Sequence, residues 1–167
     1  MCKIKAITNP ADLTGSLVVI RSSFSTVAVE LNLTPENCPA HSAFITMDKL
    51  LDLHRKAACF GLYADDTQVG FAAAEKGNDG RTFYLDRLAV VPDQRHKGYG
   101  DKLVKFVVAY VEEQGGKIIA LGMIDRLTGL KEWYKSLGFK ETGTKKFDHL
   151  PFLVCFMELD LSAQKVK

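Results

Sequence analysis

The sequence has 167 residues, 47% hydrophobic and 25% charged, with a formal net charge of +2. That length favours one domain over 1–167 with a core of its own, and the charge is too small to suggest nucleic-acid binding. No run approaches the ~18 apolar residues of a membrane span, and four cysteines without CxxC spacing argue against a zinc or redox motif. The first ten residues lack the apolar centre of a signal peptide, so the expected setting is cytoplasmic, with free thiols.

Lys3–Thr8 alternates polar and apolar residues and reads as a short strand. Asn9-Pro10-Ala11-Asp12 looks like a helix start. Leu17, Ile20, Phe24, Val27 and Leu31 then recur at helical spacing as one apolar face. Thr34–Ala40 carries two prolines and reads as a loop, and Thr46–Lys56 as a second helix. Cys59–Ala64 and Gln68–Glu75 flank Asp65-Asp66-Thr67, a hairpin signal. Thr82–Val91 reads as the longest strand, with Tyr84, Asp86, Leu88 and Val90 alternating onto one face. Gly98–Gln114 is a predicted helix stopped by Gly115-Gly116. Lys117–Ile124 reads as a strand buried on both faces, Leu127–Leu137 as a helix, and Phe139–Thr144 and Phe152–Leu159 as the last strands. The order β-α-α-β-β-β-α-β-α-β-β makes an α+β fold, a mixed, mostly antiparallel sheet flanked by helices.

The segment that carries chemistry follows the long strand. Arg95-His96-Lys97-Gly98-Tyr99-Gly100 is a basic, glycine-containing loop that opens a helix. Helix N-termini present unpaired N–H groups and a partial positive charge. Glycines allow close backbone approach, so the loop suits a pyrophosphate. The GK[ST] of a P-loop and the spacing of GxGxxG are both missing. The bland alternative is a solvated turn with a glycine cap.

Arg95-x-x-Gly98-x-Gly100 resembles the [QR]-x-x-G-x-[GA] signature of the GNAT superfamily of N-acetyltransferases. Leu88-Ala89-Val90 with Pro92 resembles the strand entering that signature, and Trp133–Phe139 (WYKSLGF) resembles the second family signature. The resemblance covers nearly the whole chain and implies acetyl-CoA as co-substrate. It further implies that the pantetheine arm pairs with the backbone of Leu88–Val90, and that N–H groups from His96 to Asp101 hold the pyrophosphate. Arg95 and Lys97 add charge, and Tyr99 lies within the loop. The family strand splays from the next one and leaves a cleft for the thioester. Where the family often has an asparagine, this sequence has Leu127, and Thr128 is the expected substitute.

Acyl transfer to an amine needs a proton acceptor for the amine and a proton donor for the departing thiolate. By resemblance the Tyr134 hydroxyl points at the thioester sulfur; the alternative is a packed aromatic. Asp86 is the first candidate base, against the alternative of a salt bridge with Arg87. His149, in the loop before the last strand, is the second, against the alternative of a surface residue. A cysteine nucleophile, Cys38 or Cys155, is disfavoured because neither has a well-placed histidine. No metal site is expected. The expected function is acetyl transfer from acetyl-CoA to a primary amine of a small acceptor, by direct attack in a ternary complex. A protein N-terminus or lysine is the rival acceptor, and a non-catalytic acyl-CoA sensor is the rival class. The expected partners are acetyl-CoA and the amine acceptor, without nucleic acid or membrane, in a monomer or a homodimer.

Overall fold

The computed structural model describes residues 1–164. Its elements run β1 (Cys2–Ala6), α1 (Thr14–Glu30), α2 (Met47–Lys56), β2 (Ala58–Ala64), β3 (Thr67–Lys76), β4 (Thr82–Val90), α3 (Tyr99–Glu113), β5 (Ile118–Ile124), α4 (Thr128–Ser136), β6 (Lys140–Lys146), β7 (Leu153–Asp160) and α5 (Leu161–Gln164). The α+β expectation holds, and the element order holds except for the short α5 added after the last strand. The ten-residue β3, not β4, is the longest strand.

One seven-stranded sheet is ordered β1-β2-β3-β4-β5-β7-β6. Every pairing is antiparallel except β4–β5, which the α3 crossover makes parallel. On one face α3 buries Leu103, Val104, Val107 and Val111 against Phe83, Ile119 and Met157. Each such large apolar side chain contributes about 1.5–3 kcal/mol when fully buried. On the other face α1 and α2 bury Ile20, Leu50 and Leu53 against Cys59, Phe71, Ala73 and Ala89. The Thr46 hydroxyl caps α2 by accepting from the Lys49 N–H at 3.3 Å.

Two sequence expectations need correction. The deepest line of α1 is Ser16, Val19, Ile20 and Ser23, one step round from the predicted stripe, because small residues let the helix lie close to the sheet. Phe24 and Val27 are thereby left half-buried. Strand β5 is buried on one face only: Ile119, Leu121 and Met123 are buried, whereas Gly122 between them is exposed. On the open side α1 packs on β3 and β4, which leaves the outer face of β5 partly uncovered.

Candidate active site

The site begins with a fault in β4. Phe71 of β3 pairs with Ala89, but Ala73 pairs with Asp86, so β4 carries one extra residue at the bulge. Arg87 sits there at φ 51°, a left-handed conformation that costs a non-glycine residue roughly 1–2 kcal/mol. A bulge resets alternation. Phe83 and Leu85 face the α3 core, but beyond the bulge Ala89 belongs to the α1–α2 core while Leu88 and Val90 pack toward α3. The expectation that Asp86 shares a face with Leu88 and Val90 is therefore wrong. Asp86 lies on the α1–α2 side. Burial pushes the Cys59 thiol up to about 12, and the nearby Asp86 charge adds to that push.

The same region is where the sheet opens. Strand β5 pairs with β4 only from Thr82↔Ile118 to Tyr84↔Ala120. After that the backbone edge of Leu88–Val90 facing away from β3 has no strand partner. A cleft of about 430 Å³ fills the gap. It is lined by Asp86, Arg87 and Leu88 of β4, Met123 and Ile124 of β5, and Tyr134 of α4, with Phe24 and His41 on its far side. A larger and more open groove of about 560 Å³ crosses β4, β5, β7 and β6, with Lys145 and Glu158 on its walls. It contains neither the bulge nor Tyr134, so the smaller cleft is the better reaction site.

At the open end of β4 the chain turns through Pro92–Gln94 into α3. His96 (φ 63°) and Gly98 (φ 80°) both take left-handed conformations. Among the described residues, no hydrogen bond uses the backbone N–H of residues 96 to 101, while Lys102 N–H donates to the Gly98 carbonyl and starts the helix. Those free donors at a helix N-terminus fit a pyrophosphate. Gly100 lies under Trp133: a Cβ there would stand 3.1 Å from the indole. Asp101 pairs with Lys105 at 3.6 Å.

One basic side chain behaves unlike the sequence expectation. Arg95 turns back into the protein: Nη2 donates to the Ser23 carbonyl at 2.8 Å, Nη1 to the Thr26 hydroxyl at 3.2 Å, and Nε to the Val90 carbonyl at 3.3 Å. It ties the loop to α1 rather than extending toward a phosphate. Lys97 Nζ donates to Gln94 Oε1 at 2.9 Å and is exposed.

Tyr134 is buried against Trp133 and Phe139, with ring centroids 5.0 and 5.4 Å away. Burial raises its pKa well above the ordinary phenol value, so the hydroxyl keeps its proton. That hydroxyl has no hydrogen-bond partner among the described residues. Helix α4 is held in place by ions: Lys131 Nζ donates to Asp125 Oδ1 at 2.5 Å and lies 3.5 Å from Glu141, which Lys135 reaches at 2.9 Å. Asp125, Glu141 and Cys155 bring three metal-capable atoms within 4.8 Å, but the Lys131 ammonium already bridges the two carboxylates.

The remaining candidates separate clearly. Asp86 lines the cleft and also accepts from Arg87 Nη1 at 2.9 Å, so the salt bridge and the cleft position coexist. His149 is exposed in the β6–β7 loop beside Phe147 and does not line the cleft. Thr128 is exposed at the start of α4, and Leu127 takes the cleft position instead. Cys38 and Cys155 are buried, and burial raises both thiols, as expected of packing residues. From the sequence, His41 ranks as a base below Asp86 and His149, and Arg87 is only a salt-bridge partner for Asp86. His41 lines the cleft edge-on to Phe24 and Phe44, a position set by the α1–α2 loop and not by any motif. No helix among the described residues is long and apolar enough to cross a membrane.

Known proteins share this fold. An uncharacterized N-acetyltransferase of Schizosaccharomyces pombe is 35% identical over 78 residues, 47% of each protein, so the matched region spans about half the length of that relative. The ribosomal-protein-S18-alanine N-acetyltransferase of Escherichia coli superposes with a TM-score of 0.77 at 17% identity, over 96% of this chain and 94% of that one. A GNAT family acetyltransferase from Elizabethkingia anophelis with acetyl-CoA bound gives 0.70 at 13% identity, over 96% and 98%. Residues 27–139 match the acetyltransferase (GNAT) family. With more than half of its length matched, the chain belongs to that family of acetyl-CoA-dependent acyltransferases.

Proposed function

We propose that the protein transfers the acetyl group of acetyl-CoA to the primary amine of a small acceptor, by direct attack in a ternary complex. The observation that carries this reading is the parting of β4 from β5 beyond Tyr84, with the unbonded Tyr134 hydroxyl and the Asp86 carboxylate on the walls of the gap. The free N–H groups of 96–101 suit the pyrophosphate, and the unpaired edge of Leu88–Val90 suits the amide-bearing arm, as an added strand would.

The chemistry assigns each wall a role. A primary amine is mostly protonated at neutral pH and must lose a proton before it attacks. Asp86 takes that proton, directly or through water. As the C–N bond forms and the C–S bond breaks, Tyr134 gives its proton to the departing sulfur, and the second proton shed by the amine nitrogen returns through water to restore the phenol. A cleft of about 430 Å³ has the size of a small-molecule site, which favours a small acceptor over an extended peptide.

The test is thiol release from acetyl-CoA against a broad panel of primary amines and one peptide with a free N-terminus. The expected result is release that depends on a small amine. Tight acetyl-CoA binding without release on any amine contradicts the reading and favours an acyl-CoA sensor; release only with the peptide moves the acceptor to protein.

A further inference from the structure

Arg87 is more than the counter-ion of Asp86. The bulge holds it in a strained conformation beside the cleft, with Nη1 donating to Asp86. Its Nε is buried without a partner, and Nη2 has none among the described residues. A guanidinium offers five N–H donors in a planar fork, and one carboxylate oxygen answers one of them. The Nη2 donors suit a second carboxylate.

His41 points to the same ligand independently. Its Nδ1 accepts the Ala43 N–H at 3.2 Å, which assigns the proton of the neutral ring to Nε2. Burial lowers its pKa and favours that neutral form. His41 is thus a hydrogen-bond donor in the cleft and a poor base, and its Nε2–H has no partner among the described residues. The other far walls are apolar: Phe24 and Val27 from α1, Leu130 from α4, and Phe152.

Asp86 and Arg87 are the only charged residues among those lining the cleft. An adjacent carboxylate and guanidinium, with no other charged side chain on the walls, are the complement of a zwitterion. We infer that the acceptor is an α-amino acid with an apolar side chain, its carboxylate bound by Arg87 and His41 and its amine presented beside Asp86. The side chain lies against Phe24, Leu130 and Phe152. A polyamine would instead meet the Arg87 charge with no anion to offer it. This inference rests on the acetyl-transfer reading and sharpens its acceptor.

The experiment measures thiol release with leucine, methionine, phenylalanine and tryptophan. Each is paired with its carboxylate-free analogue: isoamylamine, 3-(methylthio)propylamine, phenethylamine and tryptamine. At least one amino acid should exceed its analogue by roughly 100-fold in kcat/KM. Arg87→Met should shrink that ratio by about 30-fold, and Arg87→Lys should restore part of it. Because Arg87 sits in the bulge, His41→Gln provides a second variant that leaves β4 untouched and should shrink the same ratio. If the analogues equal or exceed the amino acids in the wild-type enzyme, the inference falls while acetyl transfer stands. If none of the eight compounds releases thiol, calorimetry of the four amino acids against the CoA-saturated protein decides: binding keeps the inference, and no binding ends it.

Discussion

At Phe83 and Tyr84, β4 is paired on both sides, to β3 and to β5; at Ala89 and Val90 it is paired to β3 alone. The first stretch carries Phe83, 2% exposed in the larger core, and the second carries the open backbone edge beside the cleft. The bulge, with the strained Arg87, lies between them. A strand paired on both sides has its backbone donors and acceptors satisfied by neighbours, so what its side chains do is pack. A strand with one free edge keeps backbone groups for a ligand, and the bulge swaps which side chains face which core. Substitutions in the first half should therefore cost stability, and those around the second half should cost binding or rate.

The largest effect belongs to the paired half. Phe83→Ala should cost about 3–5 kcal/mol, a fall in Tm of roughly 6–20 °C for a domain of this size, with the acetyl-CoA affinity of the folded protein little changed. A small Tm shift would erase the contrast between the halves. Next comes Gly100→Glu, which places an anion among the free N–H groups and presses on Trp133. Acetyl-CoA binding should weaken by at least about 100-fold, with the melting curve showing a folded protein. Wild-type affinity by calorimetry would remove the phosphate role of the loop.

Tyr134→Phe removes one oxygen and keeps the ring, so kcat should fall by about 100-fold, while acetyl-CoA affinity and Tm stay near wild type. An undiminished single-turnover rate would leave Tyr134 as packing. Its pH behaviour follows from burial: the folded-state pKa is raised above the ordinary value near 10. The neutral phenol therefore stabilises the fold in full below about pH 10, and that contribution is lost only as pH rises through the higher folded-state value. No falling limb assignable to this group is expected between pH 7 and 10.

Asp86→Asn should lower turnover by roughly 10–100-fold, most at low pH where the amine is protonated, with little change in acetyl-CoA affinity. If His149→Ala gives that pattern and Asp86→Asn does not, the cleft geometry has misled. The smallest effect is for exposed Lys97→Ala, under about tenfold on CoA affinity. A larger loss for CoA than for dephospho-CoA would assign Lys97 to the 3′-phosphate.

The sequence made the order of elements legible because hydrophobic periods and glycine stops are local signals, and the loop at His96–Gly100 is written in its own residues. The bulge was not. An arginine carries no signature for a left-handed conformation, so simple alternation placed Asp86 on the wrong face. Arg95 read as a phosphate ligand because its partners, Ser23 and Thr26, lie some seventy residues away in sequence. The apolar run of β5 suggested burial on both faces, yet its outer face depends on how far α1 reaches. His41 ranks low in the sequence because only the folded α1–α2 loop brings it to the cleft.

Acetyl-CoA is placed in the open half of β4 and against the 96–101 loop, and amide NMR during titration with acetyl-CoA tests that placement most directly. The largest shifts are expected at Leu88, Val90 and residues 96–101, and none of comparable size at Lys145 or Glu158. Dominant shifts along the β6–β7 groove, with residues 96–101 unmoved, would contradict it.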